Sequence, residues 1–503
     1  MKKLISLFAV TTMASTSAMA AVALGGSASV SYDDNGSSGG AGSTGASATS
    51  YDADITLTGT AGATTVNLGW DVDGSAPSLN VGSMSSTIGP LSIAVDFYDE
   101  DNSDAVDDVA RAGMRAVYAL SIDDENEAEI ARIGGLKPIL NLLSSTDTEV
   151  ARKAAAALCN LSIADTNKVA IRELGGIPKI LQCLKSEDER LVRDCIRAVR
   201  NLSFNDENKA DIRGVGGLQA IVDCMKSSDL QTARYAVRAI SILSIDAENR
   251  LALAKCGAIR MVIQALSSRD TETRRSAAGS LINLSIHSQH KVEVRLQGGL
   301  APLLECLSSD DIETVRYAAR GICNLSFNEE NEKEIIRLNG LDPLLKCMTG
   351  NDGEAQRSCL AALCNLSLSS EGKVEIRQLG GIEAIVSCLD ISDRKPRRDA
   401  MRVIANLSLN VDNQTVLRSL GAVRTVASCM NSEDLETKRY SVRCLHVLSN
   451  TSQGRIDIRA SGCLRELVEC SRSHDPETKR SAVSALNALA LDPAIRKEVQ
   501  QLG

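Results

Sequence analysis

The amino-acid sequence predicts an all-α protein built from stacked helical repeats, preceded by a short β-rich segment. The first observation is a Gly-Gly dipeptide, or a one-letter variant of it, that returns every 40 to 42 residues through four fifths of the 503-residue chain. Self-similarity at this period is typical of helical units that are too small to bury their own apolar faces and therefore stack. The second glycine of each dipeptide falls at Gly135, Gly176, Gly217, Gly257, Gly299, Gly340, Gly381, Gly421, Gly462 and Gly503.

A second motif keeps step with the first. The triplet Asn-Leu-Ser recurs in six units, and Ile242, Val447 and Ala488 stand where the spacing places the missing members. Two independent motifs in one register indicate a repeated structural unit. The six asparagines are Asn160, Asn201, Asn283, Asn324, Asn365 and Asn406.

The residues between two such motifs predict three helices. A short helix covers residues 168–174, and Gly175-Gly176 supplies the positive-φ turn that ends it. A second apolar helix covers 177–185. After a polar loop, a longer third helix runs over 189–202 and contributes the asparagine. Residues 104–503 contain about nine such units, with a leading third helix before them.

This combination resembles armadillo repeats, because Gly-Gly lies between the first two helices and Asn lies near the end of the third. The resemblance implies a right-handed superhelical solenoid whose third helices line a concave groove. It also implies a scaffold that binds other proteins through extended peptide segments, with the six asparagines hydrogen-bonding to the bound backbone. An alternative is that these asparagines cap their own helices or bond within their own units.

Selectivity is expected from residues on the same helix face. Five of the nine positions that precede the Asn register by four residues are arginine, and guanidinium groups bind carboxylates and phosphates. The arrangement resembles the groove of beta-catenin and implies acidic or phosphorylated ligands. Importin-α-type receptors instead use Trp at this position, and Trp70 lies outside the repeats. The candidate peptide-binding arginines are Arg197, Arg238, Arg320, Arg402 and Arg443.

Three of these arginines follow a tyrosine by three residues, at Tyr235, Tyr317 and Tyr440. This spacing places both side chains on one helix face, where the guanidinium groups could stack on these rings and be stiffened for a ligand. The alternative is that the arginines are solvated or paired within the array, as Asp194 could pair with Arg197 and Asp399 with Arg402.

A second row of arginines lies eight residues before the Asn register. Six of them have a glutamate three residues earlier, in the first turn of the helix, where the helix dipole also favours a carboxylate. We interpret this row as structural ion pairs between these two residues. The row comprises Arg152, Arg193, Arg234, Arg275, Arg316, Arg357, Arg398, Arg439 and Arg480, with Arg111 in the leading helix.

The amino-terminal fifth of the chain has a different pattern. Residues 1–20 have the charged start, short apolar stretch and small-residue end of a secretory signal. Residues 21–103 alternate apolar and polar positions, most clearly at 54–58, 65–70 and 91–97, which predicts four to six strands joined by hairpins. The segment resembles the amino-terminal end of Gram-negative outer-membrane porins. The alternative function is therefore a porin-like transport protein, and a membrane partner is expected only if this segment is genuine.

Composition excludes several classes of function. Residues 1–103 hold two Lys and no Arg against ten acidic residues, a net of -8 out of the total of -9, so the repeats carry about -1. A nucleic-acid partner is not expected without a basic surplus. The four histidines and the absence of a Gly-rich phosphate loop predict no enzyme, no cofactor, no metal and no small-molecule substrate.

The cysteines bear on compartment. All 15 lie at or beyond Cys159, and seven of them recur in one 41-residue register, which predicts small buried hydrophobes with free thiols. The signal at 1–20 predicts export to the cell envelope, whereas free thiols favour the cytoplasm if the amino-terminal join is artefactual. The seven are Cys183, Cys224, Cys306, Cys347, Cys388, Cys429 and Cys470.

Overall fold

The computed structural model divides into two compact parts, an amino-terminal part, Met1–Asn249, and a carboxy-terminal part, Arg250–Gly503. Side chains are described over residues 110–502. The predicted signal at 1–20 lies outside the described residues. The backbone is described over residues 27–32, 53–61, 64–73, 76–88, 91–96 and 105–502.

Five strands of the amino-terminal part form one antiparallel sheet in sequence order. The stretches predicted at 54–58 and 65–70 lie inside the second and third strands, and the fourth strand was not singled out in the sequence. Its pairing with the third strand shifts register between Gly69 and Trp70. The five strands among the described residues lie within the segment 21–103, for which four to six strands are predicted. The strands are β1 Ser27–Tyr32, β2 Ala53–Ala61, β3 Thr64–Asp73, β4 Ala76–Ile88 and β5 Leu91–Asp96.

Helices of the amino-terminal part follow the predicted order of a leading third helix and then complete three-helix units. The leading helix is α1, and the third helices of the next three units are α4, α7 and α10. These helices are α1 Ala105–Leu120, α2 Asp124–Arg132, α3 Leu136–Leu142, α4 Thr148–Leu161, α5 Asp165–Glu173, α6 Gly176–Cys183, α7 Glu189–Leu202, α8 Asp206–Gly214, α9 Gly217–Cys224 and α10 Leu230–Leu243.

The remaining helices repeat the same order through six further units and end on a first helix. Their third helices are α13, α16, α19, α22, α25 and α28. With the three earlier units this confirms the predicted all-α solenoid of nine three-helix repeats. The helices are α11 Ala247–Lys255, α12 Ala258–Leu266, α13 Thr271–Leu284, α14 Ser288–Leu296, α15 Leu300–Glu305, α16 Ile312–Leu325, α17 Glu329–Arg337, α18 Leu341–Met348, α19 Gly353–Leu366, α20 Ser370–Gln378, α21 Gly381–Ser387, α22 Arg394–Leu407, α23 Val411–Ser419, α24 Ala422–Ser428, α25 Leu435–Ser449, α26 Ser452–Ala460, α27 Leu464–Ser471, α28 Pro476–Leu489 and α29 Pro493–Gln501.

Each third helix of the nine units begins at an aspartate N-cap. The carboxylate of this residue accepts hydrogen bonds from backbone N–H groups of the first turn, which have no partner within the helix. The aspartates recur every 41 residues, so the helix start is part of the repeated pattern. They are Asp147, Asp188, Asp229, Asp270, Asp311, Asp352, Asp393, Asp434 and Asp475.

The two glycines of a dipeptide have different tasks. Gly175 has a φ of 67°, a conformation that glycine adopts at little cost. Gly176 packs closely, because a Cβ there would lie 2.7 Å from Cγ2 of Ile171 and 2.8 Å from Cδ2 of Leu140. Three residues assigned to the second position take the first position instead, since their φ is also positive. They are Gly257, Gly421 and Gly462.

The core is aliphatic and contains the seven cysteines of the 41-residue register. Six of them are buried and Cys347 is half-buried. All 15 cysteines lie within the described residues and form no disulfide there, which agrees with the prediction of reduced thiols for the seven. Burial raises the pKa of Cys224 and of Cys306, in each case to about 11, so these thiols stay protonated at neutral pH.

Candidate functional site

The third helices pack side by side within each part of the chain. In the amino-terminal part α1, α4, α7 and α10 contact one another in that order, and the series from α13 to α28 does the same in the carboxy-terminal part. We call each series a third-helix layer. Every candidate peptide-binding residue lies on one of these layers, so the residues of neighbouring units come together although they are 36 to 42 positions apart in sequence.

The asparagines use their amide nitrogens to join neighbouring units. Nδ2 of Asn201 donates to the carbonyl oxygen of Cys159 at 2.9 Å and to Oγ of Ser162 at 3.1 Å, both at the end of the preceding third helix. Asn406 makes the same two bonds, to the carbonyl of Cys364 at 3.3 Å and to Oγ of Ser367 at 3.1 Å. This inter-unit bond is neither of the two roles expected from sequence.

Asn160, Asn324 and Asn365 follow the same pattern with one bond each. Nδ2 of Asn160 lies 3.1 Å from Oγ of Ser121, and Nδ2 of Asn324 lies 3.1 Å from the carbonyl oxygen of Ile282. Asn201, Asn365 and Asn406 are buried, whereas Asn160, Asn283 and Asn324 are half-buried. The half-buried members therefore offer more surface to a ligand.

Two tyrosines lie against arginines of the preceding unit. The guanidinium carbon of Arg197 is 5.9 Å from the ring centroid of Tyr235, and that of Arg402 is 6.0 Å from the ring of Tyr440. Among the described residues no cation–π contact joins Tyr317 to Arg320 or Tyr440 to Arg443, so these two predicted stacks are not observed. Two side chains three residues apart on one helix point in the same direction, side by side. The arginine of the neighbouring stacked helix therefore lies against the tyrosine ring instead.

The alternative pairing of these arginines with Asp194 and Asp399 is not observed as a close contact. In the part of the chain that the structure describes, neither Arg197 nor Arg402 has a carboxylate within 4.0 Å. Burial raises the pKa of Asp194, and the nearby charge of Arg197 opposes this rise. These guanidinium groups therefore keep hydrogen-bond donors for a ligand, and Arg320 and Arg443 are exposed.

Most members of the second arginine row form ion pairs, as predicted, but with a different carboxylate. Arg193 donates from Nε and Nη2 to Asp229 at 2.9 Å each, and Arg275 donates likewise to Asp311 at 3.0 and 2.6 Å. The partner is thus the N-cap aspartate of the next third helix, 36 residues on. That carboxylate is preferred because it is already held in place by its cap and presents two oxygens to the planar guanidinium fork.

The predicted glutamate partners mostly contact the arginine of the preceding unit. Glu149 lies 2.7 Å from Arg115, and Glu477 lies 3.8 Å from Arg439, whereas Glu313 forms the predicted bridge to Arg316 at 2.5 Å. Helix stacking again replaces the expected neighbour within one helix. We name Arg111, Arg152, Arg193, Arg275, Arg316 and Arg439, which bond to these caps, the paired arginine row.

These pairs set the charge state of the caps. Burial would raise the pKa of Asp229, but hydrogen bonds from Arg193 and Thr232 outweigh it and lower the pKa to about 2. The hydrogen bond from Arg275 likewise holds the pKa of Asp311 far below its usual value. Both carboxylates are therefore ionised at neutral pH and satisfied within the array.

Sequence reasoning missed a second asparagine row, on the first helices. Nδ2 of Asn208 donates to the carbonyl oxygens of Lys168 and Leu202 at 3.1 Å each, and Asn331 bonds equivalently to Lys291 and Leu325. The signal was present as an asparagine at the same 41-residue spacing. The row comprises Asn167, Asn208, Asn249, Asn331 and Asn413.

Two negative observations concern the described residues alone. No helix among them combines the length and the apolar character needed to cross a membrane. Over the same residues no three His, Cys, Asp or Glu side chains are grouped so as to hold a metal ion.

Comparison with known proteins identifies the class of the repeats. Six stretches match the profile of the "Armadillo/beta-catenin-like repeat" family, at residues 123–163, 165–204, 205–245, 246–286, 287–327 and 328–368. A crystal structure of an engineered protein, Northeast Structural Genomics Consortium target OR497, is 26% identical with a TM-score of 0.68 and covers 78% of this chain and 97% of its own. The stretches from 123 to 368 are therefore similar to armadillo repeats.

A second engineered protein, target OR329 of the same consortium, is 27% identical with a TM-score of 0.44 and covers 46% of this chain and 96% of its own. No curated protein matches the chain.

Armadillo repeats are generally scaffolds that bind other proteins, so a protein-binding scaffold is the class of function that the repeats define.

Proposed function

We propose that this scaffold holds extended acidic or phosphorylated peptide segments against the third-helix layers. The observation that carries the proposal is the contrast between two sets of arginines on the same helices. Arg193 donates hydrogen bonds to Asp229. Arg197, one turn further along α7, has no carboxylate within 4.0 Å in the described residues. A ligand that supplies the missing anion gains charge-assisted hydrogen bonds.

The bound backbone would lie along the asparagine row. In this proposal the amide oxygens of Asn160, Asn283 and Asn324 accept hydrogen bonds from the peptide, since these side chains are half-buried. The buried Asn201, Asn365 and Asn406 contribute by holding neighbouring helices in place. Arg197, Arg238, Arg320, Arg402 and Arg443 would meet the anionic side chains, with Tyr235 and Tyr440 supporting two of the guanidinium groups. Tyr317 would lie beside the bound segment.

A peptide-binding measurement tests this. Extended acidic and basic peptides of equal length are titrated at low salt against the full chain and against the Arg197→Ala, Arg320→Ala and Arg402→Ala triple variant. We expect the full chain to prefer the acidic peptides and the triple variant to lose that preference. Each arginine should contribute about 1 to 3 kcal/mol if its bond to the ligand is desolvated. The matched control is Arg193→Ala, which removes an arginine of the paired row.

Two results would refute the proposal. One is equal affinity of the full chain for acidic and basic peptides. The other is an unchanged preference in the triple variant. Salt should weaken acidic-peptide binding in the full chain, because exposed charges are screened at high ionic strength.

The origin of the amino-terminal part is a separate question. We propose domain boundaries at 20 and 103, and a cytoplasmic location for the repeats if residues 1–103 are not genuinely joined to them. The family match begins at residue 123 and lends no support to the porin-like alternative. Sequencing the transcript across residues 95–110 tests the join. Resistance of the protein to carbonate washing of membranes would favour the porin-like alternative.

A further inference from the structure

Two cysteines face each other within one unit of the carboxy-terminal part. Cys347 lies near the end of α18, and Cys359 lies in α19, the third helix that packs against α18. The thiol of Cys359 donates a hydrogen bond to the sulfur of Cys347. Cys359 is fully buried, whereas Cys347 is half-buried. The two residues therefore form a dithiol of which one member lies near the surface.

A cavity of about 410 Å³ lies beside the half-buried thiol of this dithiol. Cys347 is part of its wall, and the exposed residues Gly350 and Asn351 also line it, so the cavity opens to solvent. A volume of this size accommodates a small molecule. Most of the remaining wall is apolar and comprises Leu307, Ile312, Val315 and Ala355.

Two small residues account for the open space. Gly350 stands where seven of the nine units have a serine, and Ala355 stands where every other unit has a larger residue. Leu191, which is equivalent to Ala355 in the amino-terminal part, is buried. A smaller side chain at the same backbone position leaves a void when the surrounding helices do not collapse. The positions equivalent to Ala355 hold Val150, Leu191, Thr232, Thr273, Thr314, Pro396, Thr437 and Thr478.

The hydrogen bond within the dithiol makes the half-buried thiol the more acidic of the two. The bond from Cys359 lowers the pKa of Cys347, against the opposing effects of burial and of the charge of Asp352. The same bond, together with burial, holds the pKa of Cys359 well above its usual value. Cys306 has the same place in the 41-residue register, but Ala318 replaces the second cysteine and burial raises the pKa of Cys306 to about 11. Cys347 therefore has more of the thiolate, which is the nucleophilic form.

We propose that Cys347 is a peroxide-reactive thiol and that Cys359 converts its oxidised form into a disulfide. The thiolate of Cys347 attacks one oxygen of a small hydroperoxide that enters the cavity. An S–O bond forms and the O–O bond breaks. The departing oxygen takes up a proton from solvent and leaves as water or an alcohol, so Cys347 becomes a sulfenic acid.

The second step closes the disulfide. Sγ of Cys359 attacks Sγ of Cys347, the S–S bond forms and the S–O bond breaks. The departing hydroxide takes the proton of the Cys359 thiol and leaves as water. In total two thiols lose two electrons and one hydroperoxide gains them. The hydrogen bond already turns the two sulfur atoms toward each other, as a disulfide requires.

The amino-terminal part contains a buried copy of the dithiol. Cys195 hydrogen-bonds to Cys183 in the same way, from α7 to the end of α6. Both of these cysteines are buried, and Leu191 stands where Ala355 lines the cavity. The copy has the same pair of thiols with less access, so it serves as an internal control.

Mapping of disulfides in the full chain tests the proposal. The chain is treated with hydrogen peroxide at neutral pH, the remaining thiols are alkylated, and the peptides are identified by mass spectrometry. We expect the disulfide of Cys347 with Cys359 to form at least about tenfold faster than that of Cys183 with Cys195, because access and thiolate character set the rate. Cys306 should stay reduced over the same time. A Cys347 that is oxidised no faster than Cys306 would overturn the proposal.

Two variants test the separate roles of the second thiol and the cavity. Cys359→Ala should stop the reaction at the sulfenic acid, which dimedone traps as an adduct on Cys347. Ala355→Leu fills the cavity without altering either thiol, so it should slow oxidation of Cys347 about tenfold. Circular dichroism melting shows whether each variant folds. Oxidation of a folded Ala355→Leu chain at the natural rate, or a folded Cys359→Ala chain without the adduct, would contradict the proposal. If a variant does not fold, the rates of Cys347 and Cys306 in the natural chain decide.

Discussion

The paired arginine row and the arginines of the third-helix layers occupy the same helices and differ in what surrounds them. Arg193 and Arg197 are four residues apart on α7, about 6 Å along the helix. Arg193 meets the N-cap carboxylate of the next unit at 2.9 Å, whereas Arg197 meets the ring of Tyr235 at 5.9 Å. A shift of about one helical turn therefore separates an arginine that joins two units from one that has no carboxylate within 4.0 Å among the described residues.

The acids around the two rows differ in the same way. Arg193 lowers the pKa of Asp229 to about 2, against the burial that would raise it, because it bonds directly to that carboxylate. Burial raises the pKa of Asp194. The neighbouring cations lower it only through their charge, without a hydrogen bond, and do not outweigh burial. The two shifts differ in direction because Asp229 accepts hydrogen bonds from Arg193 and Thr232, whereas burial dominates at Asp194.

The largest expected effect comes from removing a cap of the paired row. Asp311→Ala should lower the free energy of unfolding by about 3 kcal/mol, because it removes an N-cap and two charged hydrogen bonds from Arg275. Chemical denaturation followed by circular dichroism measures this. Asp310→Ala, an exposed neighbour, is the matched control. Equal effects of the two substitutions would contradict the structural role of the row.

Acid titration sharpens the comparison next. The pKa of Asp229 is lowered from 3.8 to about 2, so its contribution of about 2 kcal/mol is present above pH 4 and is lost as the pH falls toward 2. Replacing it by Asn should remove this dependence. Melting temperatures between these pH values measure the effect, and an Asp229→Asn variant with the same acid sensitivity as the natural chain would argue against it.

The pKa of Asp194 is shifted in the opposite direction, so its effect on stability changes with pH in the opposite sense. Because its pKa is raised on folding, its ionised form opposes folding above that pKa and the opposition is relieved as the pH falls. Asp194→Asn should therefore raise the melting temperature at neutral pH, whereas Asp229→Asn lowers it. A lower melting temperature in both variants would remove the distinction between the two rows.

The smallest expected difference lies within the second arginine row of the sequence. Arg316 bonds to Asp352 and Glu313, whereas Nε of Arg357 bonds to the backbone carbonyl of Gly353 at 3.2 Å. Arg316→Ala should shift the melting temperature several times further than Arg357→Ala. Neither should change affinity for acidic peptides. Equal shifts in melting temperature would mean that the ion pairs of Arg316 with its carboxylate partners do not stabilise the fold.

Much of the fold follows from local chemistry that a sequence displays. The positive φ at Gly175 requires glycine, the 41-residue spacing repeats the turn, and apolar periodicity marks the three helices of each unit. The strands near 54–58 and 65–70 were equally visible as alternation. The boundaries at Gly257, Gly421 and Gly462 were assigned to the wrong glycine position, because a single glycine does not show which member of the pair it replaces.

The sequence predicted on which helices the candidate site residues lie, but not which residues they contact. The sequence by itself determined that Arg197, Tyr235 and Asn201 lie on third helices and recur with the unit. Tertiary structure alone decided that Tyr235 receives the arginines of the helix before it and that Asn201 donates to Cys159, 42 residues earlier. The physical reason is that sequence spacing reveals only neighbours three or four residues apart on one helix. Stacking brings side chains of the adjacent helix closer than these neighbours.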